Sequence, residues 1–341
     1  MKFTIFVTSK CNLRCRYCYE GTEKSNIDMT TEISDKVIEF IKYKLKEDSE
    51  KKPLNIIFHG GEPLINFELI KYISGSILQK IKDREVIFSM TTNGTIMTEE
   101  IIEYVKEYID SLSISIDGTL KSHDMNRKFA NGEGSYKTVI YNARKLLSGG
   151  IDLRARMTFN SQNVRELYEG VKIMADLGFR YIVPAIDYYD ELWDEAKVEV
   201  LREQVNRVSE IKNKYPNTHI SLVERDMICK KKGDCFGGVN GYSIDPKGNL
   251  YPCAFCVGND EFILGNIYST EKLDDNLPKL YEISQIKNQD CLGCSAYEYC
   301  DGVRCKFLNK VITGEYNVPP PILCAMKNIL FRSNNILKGT F

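Results

Sequence analysis

Three cysteines, Cys11, Cys15 and Cys18, sit within eight residues directly behind the first β-rich run, and nine more follow residue 228 with none between. Met1 to Lys10 lacks the basic, apolar and small-residue order of a signal peptide, and no apolar run approaches ~20 residues. A soluble, cytoplasmic protein is expected. Cytosolic thiols stay reduced and disulfides there are rare, so twelve cysteines point to metal or redox chemistry. Their clustering predicts two separate metal regions. Acidic and basic side chains cancel to a formal charge of -1, so no chain-wide field favours nucleic acid or an anionic membrane as a partner.

Between the two cysteine regions the chain alternates β-rich runs with amphipathic helical patterns, the signature of βα units building a parallel sheet. The strands expected are Phe3–Val7, Asn55–Phe58, Val86–Met90, Leu112–Ile116, Leu153–Thr158 and Tyr181–Ala185. Helical spacing of apolar residues covers 31–47, 67–82, 98–109, 135–148, 163–177 and 192–214. Turn residues Gly60-Gly61, Asn93-Gly94, Asp117-Gly118 and Asn160-Ser161 fall where a strand must turn towards a helix. Strand ends of this kind gather functional groups in parallel α/β proteins. After about residue 225 the runs shorten and are broken by Gly, Pro and Cys, so this stretch is expected to be a small loop-rich module stapled by metal. The length of 341 residues accommodates both a large and a small domain.

Iron–sulfur cubanes are normally held by four cysteines, so a three-cysteine loop leaves one iron open to a ligand. Structural zinc instead wants four closed ligands. The pattern C-x-x-x-C-x-aromatic-C after a first strand, ending Tyr17-Cys18, resembles the radical S-adenosylmethionine (SAM) superfamily. The resemblance implies a partial (β/α)6 TIM-like barrel over residues 1–215. It also implies a [4Fe-4S] cluster on Cys11, Cys15 and Cys18 whose open iron chelates SAM, and cleavage of SAM to a 5'-deoxyadenosyl radical. By the same resemblance Tyr17, the backbone of Gly60-Gly61, Glu62, Asn93, Ser115, Asp117 and Arg127 are cofactor-binding. Arg127 is expected on the methionine carboxylate, and Ser115 and Asp117 near the ribose. His59 and His123 are read as ordinary hydrogen-bonded side chains.

The downstream cysteines resemble the SPASM module, here residues 216–341. That likeness implies two auxiliary [4Fe-4S] clusters, one on Cys229, Cys235, Cys253 and Cys305, the other on Cys291, Cys294, Cys300 and Cys324, three clusters in all. Four residues separate Cys300 from Cys305, where the family usually has three. Two zinc sites fit the same spacing. Cys256 is left over, as a competing ligand, a catalytic thiolate or an inert core thiol.

SPASM enzymes mature peptides and sulfatases. Sulfatase maturases carry an aspartate after the third ligand of the first auxiliary cluster; here that position is Ala254, which takes no proton, although Asp245, Asp260 or Glu261 remain possible substitutes. The expectation is therefore a peptide maturase that abstracts hydrogen and installs a cross-link, a thioether first, in a ribosomally made precursor peptide. An auxiliary cluster would accept the electron released on closing the thioether. The alternatives are an anaerobic sulfatase maturase forming formylglycine and a non-catalytic iron–sulfur electron carrier. Ten residues precede Cys11, too few for a peptide-recognition domain, so a leader is expected to be bound by a separate protein or not used. A flavodoxin- or ferredoxin-like reductant is the expected electron donor.

Overall fold

A computed structural model describes residues 1–46, 48, 51–269 and 271–334. The chain runs β1 (Lys2–Phe6), α1 (Thr31–Lys46), β2 (Leu54–His59), α2 (Phe67–Lys80), β3 (Val86–Thr92), α3 (Glu99–Tyr108), β4 (Ser111–Ser115), α4 (Leu120–Asn126), α5 (Tyr136–Ser148), β5 (Leu153–Phe159), α6 (Leu167–Asp176), β6 (Tyr181–Ile186) and α7 (Glu195–Lys214). It continues with β7 (His219–Ile220), α8 (Arg225–Ile228), β8 (Gly241–Ile244), β9 (Asn249–Tyr251), β10 (Gly265–Asn266), α9 (Glu271–Gln285), α10 (Lys306–Thr313) and α11 (Pro321–Ser333). The α/β reading stands, and each expected strand matches one of β1–β6. The helices begin where capping chemistry allows: Thr98 accepts from the Ile101 amide at α3, and Asp194 from the Lys197 amide at α7. Helix α4 was not anticipated, being too short to show a period, yet Thr119 caps it through the Ser122 amide. The C-terminal stretch likewise holds α9 to α11, of which α9 carries Pro278 inside it and α11 carries Cys324.

The chain folds as two compact units, each drawn from two separate stretches: Met1–Ser113 with Phe236–Glu282, and Ile114–Cys235 with the residues from Ile283 onward. The division falls inside β4.

In the first unit the strands neighbour one another in the order β10–β9–β8–β1–β2–β3. Strand β1 is parallel to both its neighbours, with Phe3 opposite Ile56 and Tyr242, and Ile5 opposite Phe58 and Ile244. From Phe3 to Phe6 β1 is buried on both faces, the polar Thr4 included. The Phe3 and Tyr242 rings stack at 5.8 Å, and Phe40 of α1 meets Tyr242 edge-on at 5.4 Å. Each such ring contributes roughly 1.5–3 kcal/mol by burial. The parallel direction of β1, β2 and β3 puts the loops after Phe6, His59 and Thr92 at one edge of this sheet, where α/β folds collect ligands.

In the second unit β5, β6 and β7 are parallel, with Met157 opposite Pro184 and Tyr181 opposite His219. Leu153, Met157, Val171, Met174, Val205 and Val208 form its core. Helix α7 packs against both α6 and α11.

Candidate active site

All twelve cysteines are free thiols, and Cys11, Cys15 and Cys18 are each half-buried in the loop that leaves β1. This loop is held by its neighbours rather than by its thiols. Leu13 is buried beneath it. The Arg14 guanidinium donates to the carbonyls of Cys11 (2.8 Å) and Leu13 (2.9 Å), and the Cys18 amide donates to the Cys15 carbonyl at 3.2 Å. A side-chain chain then ties the loop to the end of β3. Asn93 donates to Asn12 at 2.8 Å, Asn12 donates to Thr95 at 2.8 Å, and Thr95 donates back to Asn93 at 2.6 Å. The Cys11 sulfur accepts from the Leu13 amide (3.4 Å) and the Asn93 amide group (3.9 Å), while burial pushes the Cys11 thiol up.

Gly60 and Gly61, following β2, lie hard against this loop. A Cβ on Gly60 would stand 2.4 Å from the Thr8 carbonyl oxygen, and one on Gly61 2.4 Å from that of Lys10; Gly60 also holds φ +152°, so only glycine fits. The Glu62 carboxylate, 1% exposed, accepts from Thr92 Oγ1 (2.7 Å), the Asn93 amide (2.6 Å) and the Leu64 amide (3.2 Å). The resemblance expects Glu62 to meet a cofactor cation. In this structure its oxygens bind the two loops together.

Burial pushes Glu62 up to about 7 from 4.5, against the hydrogen bonds from Asn93, Thr92 and Leu64. The folded chain therefore holds a proton that the unfolded chain releases. Glu62's contribution is fully present below pH 4.5 and lost as pH rises through about 7. Denaturant unfolding across that window is expected to show wild type losing about 3 kcal/mol relative to Glu62→Gln. A flat difference between the two would remove the buried acid from this account.

In the second unit Ser115, half-buried, ends β4. Asp117 and Arg127, expected to reach the cofactor separately, are bonded to each other. Arg127 Nε and Nη2 donate to the two Asp117 oxygens at 3.0 and 3.1 Å, and the Thr158 amide of β5 donates to Asp117 at 2.8 Å. Both residues are buried. A bidentate fork in a low-dielectric interior is a strong, oriented contact; here it joins the end of β4 to α4 and β5. His123 is fully buried, its Nδ1 accepting from the Asp117 amide (3.3 Å) and its Nε2 meeting Ser135 Oγ (2.9 Å). Burial lowers it to about 4, so it is a neutral structural side chain.

Downstream, Cys253 and Cys256 lie in the turn after β9 in the first unit. Their sulfurs are 3.7 Å apart, and Cys256 is fully buried. The Cys256 contact and backbone amides hold Cys253 below the ordinary thiol range. Tyr19, just past the N-terminal cysteine loop, packs its ring 5.5 Å from Phe255 of this turn. Asp245 is spent locally. Its carboxylate accepts from the Lys247 and Asn249 amides (2.8 and 2.9 Å), from Asn249 Nδ2 (2.8 Å) and from Tyr251 (3.4 Å).

In the second unit, Cys229, Cys235 and Cys305 are half-buried. Cys291, Cys294, Cys300 and Cys324 together border one apolar pocket that Val303, Leu323 and Phe331 also line. Burial, then the neighbouring thiols, pushes Cys291 and Cys324 up. Among the described residues no three His, Cys, Asp or Glu side chains converge closely enough to hold a single metal ion. Four sulfurs around a void are a donor set that a polynuclear iron–sulfur group fits.

Residues 5–172 match the family model of the radical SAM superfamily. They are a radical SAM domain. The cysteine-type anaerobic sulfatase-maturating enzyme of Clostridium novyi is 24% identical over 322 residues, spanning 86% of this chain and 84% of that protein. The antilisterial bacteriocin subtilosin biosynthesis protein AlbA of Bacillus subtilis is 24% identical, over 90% of this chain and 67% of that protein. The solved structure of native anSMEcpe with bound AdoMet is similar in fold with a TM-score of 0.77 at 19% identity, covering 97% of this chain and 96% of that one. The chain thus carries a radical SAM domain followed by a cysteine-rich C-terminal region, and enzymes of this superfamily bind SAM and a [4Fe-4S] cluster. Among the described residues no helix is long and apolar enough to cross a membrane. Sequence reading missed Asn12, Thr95 and Lys24 around the radical SAM cysteines. Asn12 lies inside the motif, but its partners come from loops distant in sequence.

Proposed function

We propose that this radical SAM enzyme is a peptide maturase that removes a hydrogen atom from a residue of a ribosomally made precursor and installs a cross-link there, a thioether first. In this reading Cys11, Cys15 and Cys18 hold the radical-generating [4Fe-4S] cluster. Tyr17, Gly60, Gly61 and Asn93 bind SAM, and Glu62 positions Asn93 through its backbone amide. The downstream cysteines hold two auxiliary [4Fe-4S] clusters, one of them on Cys291, Cys294, Cys300 and Cys324. Residues 1–215 act as the barrel and 216–341 as the SPASM module, with a flavodoxin- or ferredoxin-like reductant supplying electrons in the cytoplasm. Bound together, cluster and SAM supply a 5'-deoxyadenosyl radical.

The single observation that carries a cross-link over formylglycine is the state of the carboxylates near Cys253. Ala254 has none, and the Asp245 carboxylate already accepts four hydrogen bonds within its own turn. Asp260 and Glu261 are solvent-exposed. The second reading, a sulfatase maturase, draws on the likeness to the C. novyi enzyme.

One experiment separates them. The anaerobically reconstituted chain is given SAM, dithionite and either short cysteine-containing precursor peptides encoded beside its gene or a cysteine-bearing sulfatase-motif peptide. Mass spectrometry is expected to show a precursor lighter by two hydrogens whose cysteine no longer reacts with iodoacetamide. Loss of hydrogen sulfide and gain of one oxygen atom in the sulfatase peptide, with no change in any precursor, would establish the second reading instead.

A further inference from the structure

The turn that follows Cys18 folds back on the start of its own loop. The Gly21 amide donates to the Cys18 carbonyl at 2.9 Å, and the Ser9 amide donates to the Ile27 carbonyl at 2.8 Å. Ser25 Oγ donates to Ser9 Oγ at 2.6 Å, and the Ile27 amide to the same oxygen at 3.1 Å. This return brings Lys24 over the cysteines. Its ammonium donates to the Cys18 sulfur at 2.9 Å, and among the described residues that sulfur is its hydrogen-bond partner. The other lysine of the loop, Lys10, is differently placed, its ammonium closed on Asp28 at 2.6 Å.

We propose that Lys24 is a positioning residue that raises the reduction potential of the iron–sulfur cluster held by Cys18, through a charged hydrogen bond to that sulfur. The inference rests on Cys11, Cys15 and Cys18 being the cluster ligands. Its physics is direct. Reduction adds one negative charge to the cluster, and a cation at hydrogen-bond distance from a ligand sulfur stabilises the reduced form more than the oxidised one. Cluster potentials follow such contacts to their sulfurs. The Leu13 and Asn93 donors on Cys11 are neutral, so Lys24 supplies a full charge where they supply dipoles. The electron itself comes from an external one-electron donor, flavodoxin-like or chemical.

The test is an EPR-monitored redox titration of the reconstituted full chain, with iron counted on the same samples. Lys24→Met is expected to keep its iron and to show, at the wild-type midpoint, an about tenfold lower ratio of reduced to oxidised N-terminal cluster, about 59 mV for one electron. Lys24→Gln, which keeps a donor without the charge, falls between them, and Lys24→Arg restores the wild-type value. Lys10→Met shifts it far less, since that charge is already paired with Asp28. An unmoved midpoint in Lys24→Met with full iron would overturn the proposal, as would loss of cluster iron in both Lys24→Met and Lys24→Gln, which makes the contact purely structural. A wild-type chain showing no such cluster would instead sink the ligand assignment beneath it.

Discussion

Alanine at Cys11, Cys15 and Cys18 together is expected to leave a folded chain that binds about four fewer irons and yields no 5'-deoxyadenosine from SAM. The fold survives because these half-buried thiols are not what shapes their loop. Leu13 in the core, the Arg14 guanidinium on two carbonyls and the Asn12–Asn93–Thr95 chain hold it without them. Alanine at Cys291, Cys294, Cys300 and Cys324 provides the counterpart. It too removes about four irons, but the N-terminal cluster and cleavage of SAM persist. Iron analysis, circular dichroism and chromatography of the cleavage products read both variants. Cleavage that survives the triple substitution would remove the radical site from this loop, and about two zincs in place of the downstream iron would make the C-terminal sites structural.

The second large effect is on stability. Asp117→Ala takes both carboxylate acceptors from the buried Arg127 guanidinium and the acceptor from the Thr158 amide. Removing one partner of a buried pair costs about 3–5 kcal/mol, well beyond what an exposed pair contributes. Urea unfolding should show that loss. Pairing it with Arg127→Met should recover a good part, because a buried guanidinium deprived of its carboxylate, more than the lost attraction, sets the penalty. A single mutant within about 1 kcal/mol of wild type would mean that water reaches the pair.

The pattern of residues made six strands and their helices legible because each apolar run is closed by residues such as Gly60-Gly61, Asn93-Gly94 or Asp117-Gly118 that permit only a turn. It also singled out the residues of the site by type. What it left hidden is direction. Glu62 and Asn93 lie far apart in sequence, yet a 2.6 Å hydrogen bond joins them, and no local period reports such a bond. Arg127 looked free to take a ligand carboxylate, but the carboxylate it holds is Asp117 of the same chain. Lys24 was inconspicuous in a polar stretch until the turn returned it to Cys18. Helices α9 and α10 were obscured for another reason: α9 carries Pro278 inside it, a residue that reads as a helix end, and α10 is only eight residues long.

Strand β1 has its second parallel neighbour in β8, so Lys2 waits for Gly241 and Ile5 for Ile244. During synthesis the N-terminal strand emerges from the ribosome long before the segment that covers one of its edges. Contacts of such sequence separation are slow to form, and an uncovered edge rich in Phe and Ile invites pairing with other chains. A nascent chain halted before residue 236 also lacks the rest of the first compact unit. On the proposed ligand assignment, metal loading of the Cys11, Cys15 and Cys18 loop follows synthesis of the β8 segment, and a cell making this protein has reason to keep its early intermediates shielded by a chaperone until that segment has been translated.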